Sequence, residues 1–289
     1  MTAVLLETGE WSKRRRRAED LKVRWPFSGD VLTFYTALLE VQERAFLGAL
    51  EDAPRPQAVA AYAAERVMPR IIELSAASGP PALVTAVLER FDELDFTATI
   101  AGWLRSDELP AIERYLARAA AGPVLEALGT AAGAACEGPR DDRMHCPTCG
   151  GRPQVGYFAP SPEDLVTAHR YLVCSRCAAS WAYARLTCAA CGETDTDKLV
   201  VCGEVGTSQA ELTASVVKPG APRAVTPPDA RFPHLRIDGC RSCSHYLLTV
   251  DVERDPRAVP LVDEIGAIPL DLYARDLALT KLVPNLMGI

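Results

Sequence analysis

The stretch CSRCAASWAYARLTCAACG, residues 174–192, carries two C-x-x-C pairs, and one more pair lies on each side of it. A two-residue gap between cysteines places both sulfur atoms on one tight turn, a knuckle, where they can face a single metal ion. Ten cysteines scattered at random over this chain would form about 0.3 such pairs, so four pairs are a signal rather than a result of composition. The predicted ligands are Cys146, Cys149, Cys174, Cys177, Cys188, Cys191, Cys240 and Cys243.

Four sulfur atoms complete a tetrahedral site, so eight paired cysteines predict two metal ions. Sequential pairing is the simplest arrangement: the first two knuckles bind one ion and the last two bind the other. An interleaved arrangement, in which the first knuckle joins the third and the second joins the fourth, stays open. The metal also stays open between iron and zinc, because both accept four thiolates in almost the same geometry.

Two interpretations of these sites are open. Most four-cysteine ribbons are scaffolds that replace a missing hydrophobic core, whereas a sulfur-bound iron also exchanges an electron or responds to oxygen. His145 and His245 flank knuckles, but the four-sulfur sets are complete, so both histidines are expected beside the sites rather than on the metal. The remaining Cys136 and Cys202 are predicted to be small buried hydrophobic residues.

Short β-type runs surround the cysteines at residues 171–173, 181–183 and 246–250, among many Gly and Pro residues. This pattern predicts an α+β fold: an N-terminal all-helical domain, two small β modules like rubredoxin or a zinc ribbon, and a C-terminal helix. The predicted bounds are 1–138 for the helical domain, 139–187 for the first four-cysteine module, 188–255 for the second, and 256–289 for the helical tail.

The residues before the cysteines are rich in alanine and repeat their apolar side chains at helical spacing, which predicts roughly five to seven amphipathic helices. One apolar stripe runs over residues 31–50, and Pro69 interrupts a second stripe over residues 58–77. Helical spacing returns over residues 268–283 and predicts the C-terminal helix. Residues 219–233 contain several prolines and predict a loop.

Composition narrows the classes of function. Of 289 residues, 48% are hydrophobic and 24% are charged, as in ordinary globular proteins. With 31 basic and 38 acidic side chains the net charge is −7, which disfavours nucleic acid as a partner. Charge interrupts the apolar stretches every few residues, so no membrane span is expected.

The basic run at residues 13–17 lacks the apolar segment of an export signal, which predicts a cytoplasmic protein. Cysteines in that compartment stay reduced, so their spacing indicates metal binding rather than disulfides. The run itself is expected to be solvated, and the alternative that it grips an acidic partner or a phosphorylated cofactor stays open.

Three motifs follow one another in the second half of the chain: Cys146-Pro147-x-Cys149-Gly150, then Arg170-Tyr171-Leu172-x-Cys174-x-x-Cys177-x-x-x-Trp181-x-x-x-Arg185-x-x-Cys188-x-x-Cys191, then Cys240-x-x-Cys243-x-x-Tyr246. The chain continues into Asp271-Leu272-Tyr273-Ala274 and Pro284-Asn285-Leu286-Met287-Gly288. In these motifs, over most of residues 144–289, the chain resembles the formate dehydrogenase accessory protein family FdhE. The stretch 198–235 is longer than the spacer usual in that family, which bears on the shape of the second site.

The resemblance implies a cytoplasmic factor that binds the catalytic subunit of respiratory formate dehydrogenase before twin-arginine export. It also implies rubredoxin-like iron held by the C-x-x-C pairs, with the eight paired cysteines carried over by position as ligands. Members of the family do not turn over a small substrate, so the chain is not expected to be an enzyme. The sequence gives no indication of the oligomeric state.

Two other classes of protein compete with this interpretation. A zinc-ribbon module that binds nucleic acid would use basic side chains around the knuckles, and five arginines stand there: Arg152, Arg170, Arg176, Arg185 and Arg241. A thiol oxidoreductase would need a lone C-x-x-C in a thioredoxin-like βαβ context, which the sequence lacks. No nucleophile–base pair, catalytic carboxylate pair or cofactor fingerprint is present either.

Overall fold

The computed structural model describes residues 2–159, 169–204 and 230–288, with side chains from residue 9 onward. Most of the predicted loop over residues 219–233 lies outside the described residues. Within these ranges, seven α-helices precede the first strand and two follow the sixth: α1 (Thr2–Arg24), α2 (Gly29–Asp52), α3 (Val59–Arg66), α4 (Met68–Ser78), α5 (Pro81–Arg90), α6 (Phe96–Arg105), α7 (Ala111–Leu128), α8 (Pro260–Gly266) and α9 (Ile268–Asp276). In the same ranges, 3₁₀ turns precede α2 and α3 at Pro26–Ser28 and Pro56–Ala58, and another follows α7 at Gly129–Ala135.

The N-terminal helices bury their apolar faces against one another, as the helical spacing predicts. α2 buries Leu32, Leu39 and Phe46 and packs against α1 and α7. The second stripe breaks at the predicted place, because α3 ends at Arg66 and Pro69 lies in the first turn of α4, where its missing N–H costs nothing. Among the described residues, no helix is both long enough and apolar enough to cross a membrane.

The paired cysteines lie at the strand ends of one mixed sheet. Its strands are β1 (Pro153–Ala159), β2 (His169–Cys174), β3 (Ser180–Tyr183), β4 (Leu199–Gly203), β5 (Leu235–Cys240), β6 (His245–Asp251) and β7 (Thr280–Lys281). The strand order is β3-β2-β1-β6-β5-β4, and β7 pairs with the first residues of β6. The predicted runs at 171–173, 181–183 and 246–250 are thus parts of β2, β3 and β6. The α+β fold is confirmed.

The two predicted β modules are joined edge to edge. β1 and β2 of the first module pair antiparallel, as do β5 and β6 of the second, while β1 and β6 run parallel with Gly156 opposite Thr249. The approach is close, because a Cβ atom on Gly156 would lie 2.7 Å from Thr249 Oγ1. The boundaries at 138, 187 and 255 stay predictions, and the joined strands make the two modules one continuous layer.

A cluster of buried charges attaches the helices to this sheet. Arg17 of α1 bonds both oxygens of Asp263 in α8, and its Nη2 lies 2.8 Å from Asp255 Oδ2. His234 is fully buried here, with Nε2 2.7 Å from Asp263 Oδ1. We call Arg17, His234, Asp255 and Asp263 the Arg17 cluster. Since α8 also packs on β1 and β6, the cluster ties α1 to the sheet.

The basic run therefore differs from the expectation of a solvated start. It lies inside α1, and three of its five side chains meet carboxylates from other elements, while Lys13 and Arg16 are exposed as predicted. The ion pairs to distant residues are Arg14 with Glu126, Arg15 with Glu43, and Arg17 with Asp255 and Asp263. The spacing of the run gives no sign of these partners, because they come from other elements.

The C-terminal helix is shorter than the helical spacing predicts. α9 ends at Asp276, and Ala278 has a left-handed φ of 58°, which turns the chain into β7. Leu279 is then buried against Gly239, where a Cβ atom would lie 2.7 Å from Leu279 Cδ1. Lys281 of β7 is buried as well and pairs with Glu264 and Asp271. Pairing with β6 and this ion network outweigh continuation of the helix.

Candidate metal centres

The first site consists of Cys146, Cys149, Cys174 and Cys177, whose sulfur atoms all lie within 4.8 Å of one another. The first knuckle stands in the turn before β1, and the second begins at the last residue of β2. Across the site, Cys146 Sγ is 3.7 Å from Cys177 Sγ, and Cys149 Sγ is 3.4 Å from Cys174 Sγ. The antiparallel pairing of β1 with β2 brings the two knuckles to the same end of the sheet.

The second site consists of Cys188, Cys191, Cys240 and Cys243, again within 4.8 Å of one another. Its third knuckle lies in the connection between β3 and β4, and the fourth forms the turn between β5 and β6. The cross-site distances are 3.8 Å between the sulfurs of Cys188 and Cys243 and 3.8 Å between those of Cys191 and Cys240. The structure thus groups the knuckles sequentially and not in the interleaved order.

The sulfur spacing fits a tetrahedral metal site. A metal–sulfur bond of about 2.3 Å places the sulfurs of a tetrahedron about 3.8 Å apart. The four cross-site distances, 3.4 to 3.8 Å, are close to that value, whereas a disulfide would require about 2.05 Å. All ten cysteines are free thiols. Each group of four can therefore hold one metal ion, and the donor set suits iron and zinc alike.

Each knuckle needs a left-handed residue directly after its second cysteine. The φ angles there are 73° at Gly150, 56° at Ala178, 76° at Gly192 and 56° at Ser244. Glycine adopts this conformation without strain, and the residue at this position is glycine in the first and third knuckles but alanine and serine in the second and fourth. Backbone N–H groups inside the turns also point at sulfur, with Arg176 N donating to Cys174 Sγ and Ala190 N to Cys188 Sγ, both at 3.3 Å. Such bonds disperse the charge of bound thiolates.

The thiols of the first site strongly perturb one another. Hydrogen bonds from Cys136 and Cys146 lower the pKa of Cys149 far below its ordinary value. Hydrogen bonds with Cys146 and Cys149 raise the pKa of Cys177 far above its ordinary value. One thiolate is thus stabilised by protonated neighbours, because four adjacent negative charges would repel one another. A divalent cation at the centre removes that conflict and favours four thiolates together.

Cys136 is a fifth thiol beside the first site. It is buried, as predicted, and a hydrogen bond to Cys149 together with burial raises its pKa. It does not belong to the group of four mutually close sulfurs. Its spacing from the first knuckle carries no metal-binding signal, so sequence reasoning missed this contact. Cys202 is buried in β4, as predicted, and belongs to neither site.

The first site is built into the contact between the helices and the sheet. Arg176, inside the second knuckle, donates to Trp103 O and Glu137 O, both at 3.0 Å. The backbone of the first knuckle is equally close, since a Cβ atom on Gly133 would lie 2.5 Å from Thr148 O. All four cysteines of the first site are at most 5% exposed.

The second site lies nearer the surface. Cys188 and Cys240 are buried, Cys243 is half-buried, and Cys191 is exposed. His245 follows this site, and its Nδ1 donates to Cys243 O at 2.7 Å. This bond helps to orient Cys243 without placing the imidazole among the sulfur ligands.

The other knuckle histidine behaves similarly. His145 Nδ1 lies 2.7 Å from Asp142 Oδ1, which also accepts from the backbone N–H of His145. Among the described residues, neither His145 nor His245 belongs to a metal-sized group, in agreement with their predicted place beside the sites. His169 is exposed at the start of β2.

Comparisons with known proteins agree with this arrangement. The family model described as "FdhE, central domain" matches residues 145–185, which include the first two knuckles. A "Protein FdhE homolog" from Aquifex aeolicus is 28% identical over 146 residues, 50% of this chain and 42% of the relative. Another from Pseudomonas aeruginosa is 30% identical over 160 residues, 55% of this chain and 44% of the relative. The aligned part thus spans less than half the length of these two relatives.

The fold also matches a solved structure, the crystal structure of the FdhE protein from Pseudomonas aeruginosa. The TM-score is 0.61 at 23% identity, and the match covers 97% of this chain and 96% of that one. At this identity the likeness concerns the fold, helices and sheet together. The family model shows a likeness in sequence over the first two knuckles, and the two relatives show one over about half of this chain. The chain therefore matches the FdhE central domain over residues 145–185 and shares the fold of an FdhE protein over nearly its whole length.

Proposed function

We propose that this chain is a cytoplasmic accessory factor for respiratory formate dehydrogenase, which binds the catalytic subunit before export and is not itself an enzyme. The observation that carries the proposal is the pair of four-sulfur groups on a sheet against which the helical domain packs, with the first group inside the stretch that matches the FdhE central domain. A maturation factor must hold an immature client and release the mature one, so its affinity must differ between those two states. The helical domain and the sheet pack against each other and together present a surface on which the immature and the mature client would be distinguished.

The proposed metal ligands are the eight knuckle cysteines in two sets of four. Iron and zinc both suit them; either ion crosslinks distant parts of the chain, and iron would add one-electron chemistry. A structural role for the first site is supported by the contacts of its knuckles, because Arg176 and Thr148 both contact the helical domain. The functional division we propose follows the bounds 1–138, 139–187, 188–255 and 256–289.

The competing nucleic-acid module loses part of its basic patch in this fold, because three of the five knuckle arginines are engaged by the fold while Arg185 and Arg241 are exposed. Arg170 is 3% exposed and pairs with Asp238, and Arg176 is held by backbone carbonyls of the helical domain. Arg152 donates to Ala190 O at 3.0 Å, within the third knuckle. These arginines serve internal contacts, which argues against a phosphate-binding surface.

A thiol oxidoreductase is also disfavoured by geometry. Such an enzyme presents one C-x-x-C pair whose two sulfurs exchange a disulfide with a substrate. Here every pair faces another pair across less than 4 Å. A metal ion shared by two pairs would withhold all four thiolates from exchange.

Capture of the cognate catalytic subunit by the tagged protein tests the proposal. We expect the purified protein to bind that subunit before its cofactors are inserted and to bind the cofactor-loaded subunit more weakly, measured under anaerobic conditions by surface plasmon resonance. Equal affinity for the two forms, or none for either, contradicts the proposal. Recovery of single-stranded RNA or DNA in salt-sensitive complexes would instead support the nucleic-acid module.

Cysteine variants connect the metal sites to binding. Cys188→Ser with Cys191→Ser removes half of the second site, and Cys202→Ala is the matched control, because it removes a buried thiol that belongs to neither group. If the metals hold the binding surface together, the double variant loses client affinity and the control keeps it. If the double variant loses metal but keeps full affinity, the second site is not part of the client-binding frame.

A further inference from the structure

The two metal sites differ in how far the fold covers them. In the first site the exposed fractions are 0% for Cys146 and Cys149, 2% for Cys174 and 5% for Cys177. In the second site Cys191 is exposed and Cys243 is half-buried. The sulfur geometry of the two groups is otherwise alike, so accessibility is the property that separates them.

The first site is covered by contacts with the helical domain, most of them to its backbone. The Arg176 side chain crosses to Trp103 O, Glu137 O and Ser106 Oγ, the last at 2.6 Å. Gly138 meets Gly150, which follows Cys149, so closely that a Cβ atom on Gly150 would lie 2.8 Å from Gly138 C. Opening this site requires separating the helical domain from both knuckles.

The fourth knuckle of the second site lacks such cover. Arg241 and Ser242, the two residues between its cysteines, are exposed, and so is the following Ser244. The Ser242 hydroxyl reaches across the site and donates to Glu193 Oε2 at 2.6 Å, and this bond lies at the surface. Local opening of this turn breaks few buried contacts, so it costs little free energy.

We infer that the second site exchanges its metal ion with solution far faster than the first, and that it is where a chelator, a metal donor or an incoming thiolate reaches protein-bound metal. The inference rests on the proposed metal binding and assigns the two sites different roles. The first site holds the helical domain and the sheet together, while the second site gains and loses its ion as the supply of metal changes. Exchange at a four-sulfur site begins when an incoming donor replaces one thiolate, so the rate follows access to the sulfur.

Metal release from the zinc-loaded full-length protein tests the inference. With two ions bound per chain, addition of excess 4-(2-pyridylazo)resorcinol in anaerobic buffer is expected to release one equivalent in a fast phase and one in a slow phase. We expect the rates to differ by about tenfold or more, the scale on which supporting contacts alter metal binding. Alkylation with iodoacetamide during the fast phase, followed by peptide mapping, is expected to label the cysteines of the second site and spare those of the first.

Two knuckle arginines provide matched variants. Arg176→Ala removes the clamp over the first site and is expected to accelerate the slow phase only, whereas Arg241→Ala changes an exposed arginine in the fourth knuckle and is expected to leave both phases unchanged. A single release phase with two ions bound, or labelling of the first site before the second, overturns the inference and leaves the proposed function standing. A protein that takes up no metal overturns the inference together with the proposed metal binding.

Discussion

The Arg17 side chain is 2% exposed and lies between the carboxylates of Asp255 and Asp263. A guanidinium in such a place must be paired, since an isolated buried charge is very costly. Its fork geometry suits the task, with Nε and Nη2 both bonded to Asp263 and Nη2 also bonded to Asp255. The neighbouring Arg16 is exposed and donates to Ser12 O in its own helix at 3.3 Å. Adjacent arginines of one run thus have different roles.

Arg17→Met tests the Arg17 cluster. The variant leaves two buried carboxylates without their main partner, so we expect the free energy of unfolding to fall by about 3–5 kcal/mol. Arg16→Met is the control and should change it by no more than about 0.5 kcal/mol. Urea titrations of the metal-loaded proteins measure both. Equal, small effects would mean that the cluster is not a significant link between α1 and the sheet.

The stability that the Arg17 cluster contributes depends on pH through the carboxyl group of Asp255. Burial acts to raise the pKa of Asp255, but the hydrogen bond and charge of Arg17 outweigh it and lower the pKa to about 2. The folded state therefore binds this proton less readily than the unfolded chain, whose aspartate has a pKa near 3.8. The ion pair contributes its full stability above about pH 4 and loses it as the pH falls towards 2.

Asp255→Asn should accordingly lower stability at pH 7 and flatten the loss of stability between pH 4 and pH 2. Both proteins lose metal in acid, so the quantity to follow is the difference between their unfolding free energies, which should shrink as the pH falls. The control is Asp276→Asn at an exposed position at the end of α9, for which the difference from wild type should stay constant. A constant difference for Asp255→Asn would place its effect outside the ion pair.

At the scale of single elements, the knuckles combine a backbone requirement with a packing requirement. Gly150 and Gly192 both have left-handed φ angles, 73° and 76°. A Cβ atom on Gly150 would collide with the backbone of Gly138 at 2.8 Å, whereas one on Gly192 would find only Met144 Sδ at 3.6 Å. The first knuckle is therefore locked to the end of the helical domain, and the third is not.

Alanine substitution separates the two requirements. Gly192→Ala should cost only the left-handed strain, about 1 kcal/mol, whereas Gly150→Ala should cost about 1–3 kcal/mol more because the backbone must also move. Thermal unfolding of the metal-loaded variants, with metal content measured in parallel, provides the comparison. If the two variants were equally stable, contact with Gly138 would not hold the first knuckle in place.

Local patterns account for the part of the fold that the sequence predicts. The spacing of Cys146 and Cys149 is local, and so is the break at Pro69, and the structure has both features as expected. Contacts between distant elements are different. Nothing near Gly156 indicates that β1 pairs parallel with β6, and nothing near Arg17 indicates Asp263, 246 residues away. Burial of Leu279 likewise depends on Gly239 and shortens a helix that periodicity alone extends.

At the scale of the whole molecule, the chain has one large helical core and one cysteine-dependent layer. The helical core is apolar in its own right, with Leu32, Leu38, Met68 and Ile71 fully buried. The sheet buries apolar side chains of its own, among them Ile237, but the ends of its strands are joined by the two groups of four thiols, and such sites contribute folding energy when they bind metal. We therefore expect the sheet to need bound metal in order to stay folded, and the helical domain to stay folded without it.

Removal of both ions with excess chelator under reducing conditions should unfold the layer while most of the helical domain persists. We expect the ellipticity at 222 nm to fall only modestly, because α1–α7 contain most of the helix, and we expect thermal unfolding to change from one transition to two. New protease cuts should concentrate between residues 139 and 200, where the first three knuckles lie, and re-addition of zinc should suppress them. Cys202→Ala, loaded and stripped in the same way, is the control and should reproduce the wild-type pattern. Complete loss of helicity on stripping would show that the helical domain depends on the metal sites for its own folding, because the contacts of Arg176 and the Arg17 cluster would then be indispensable to it.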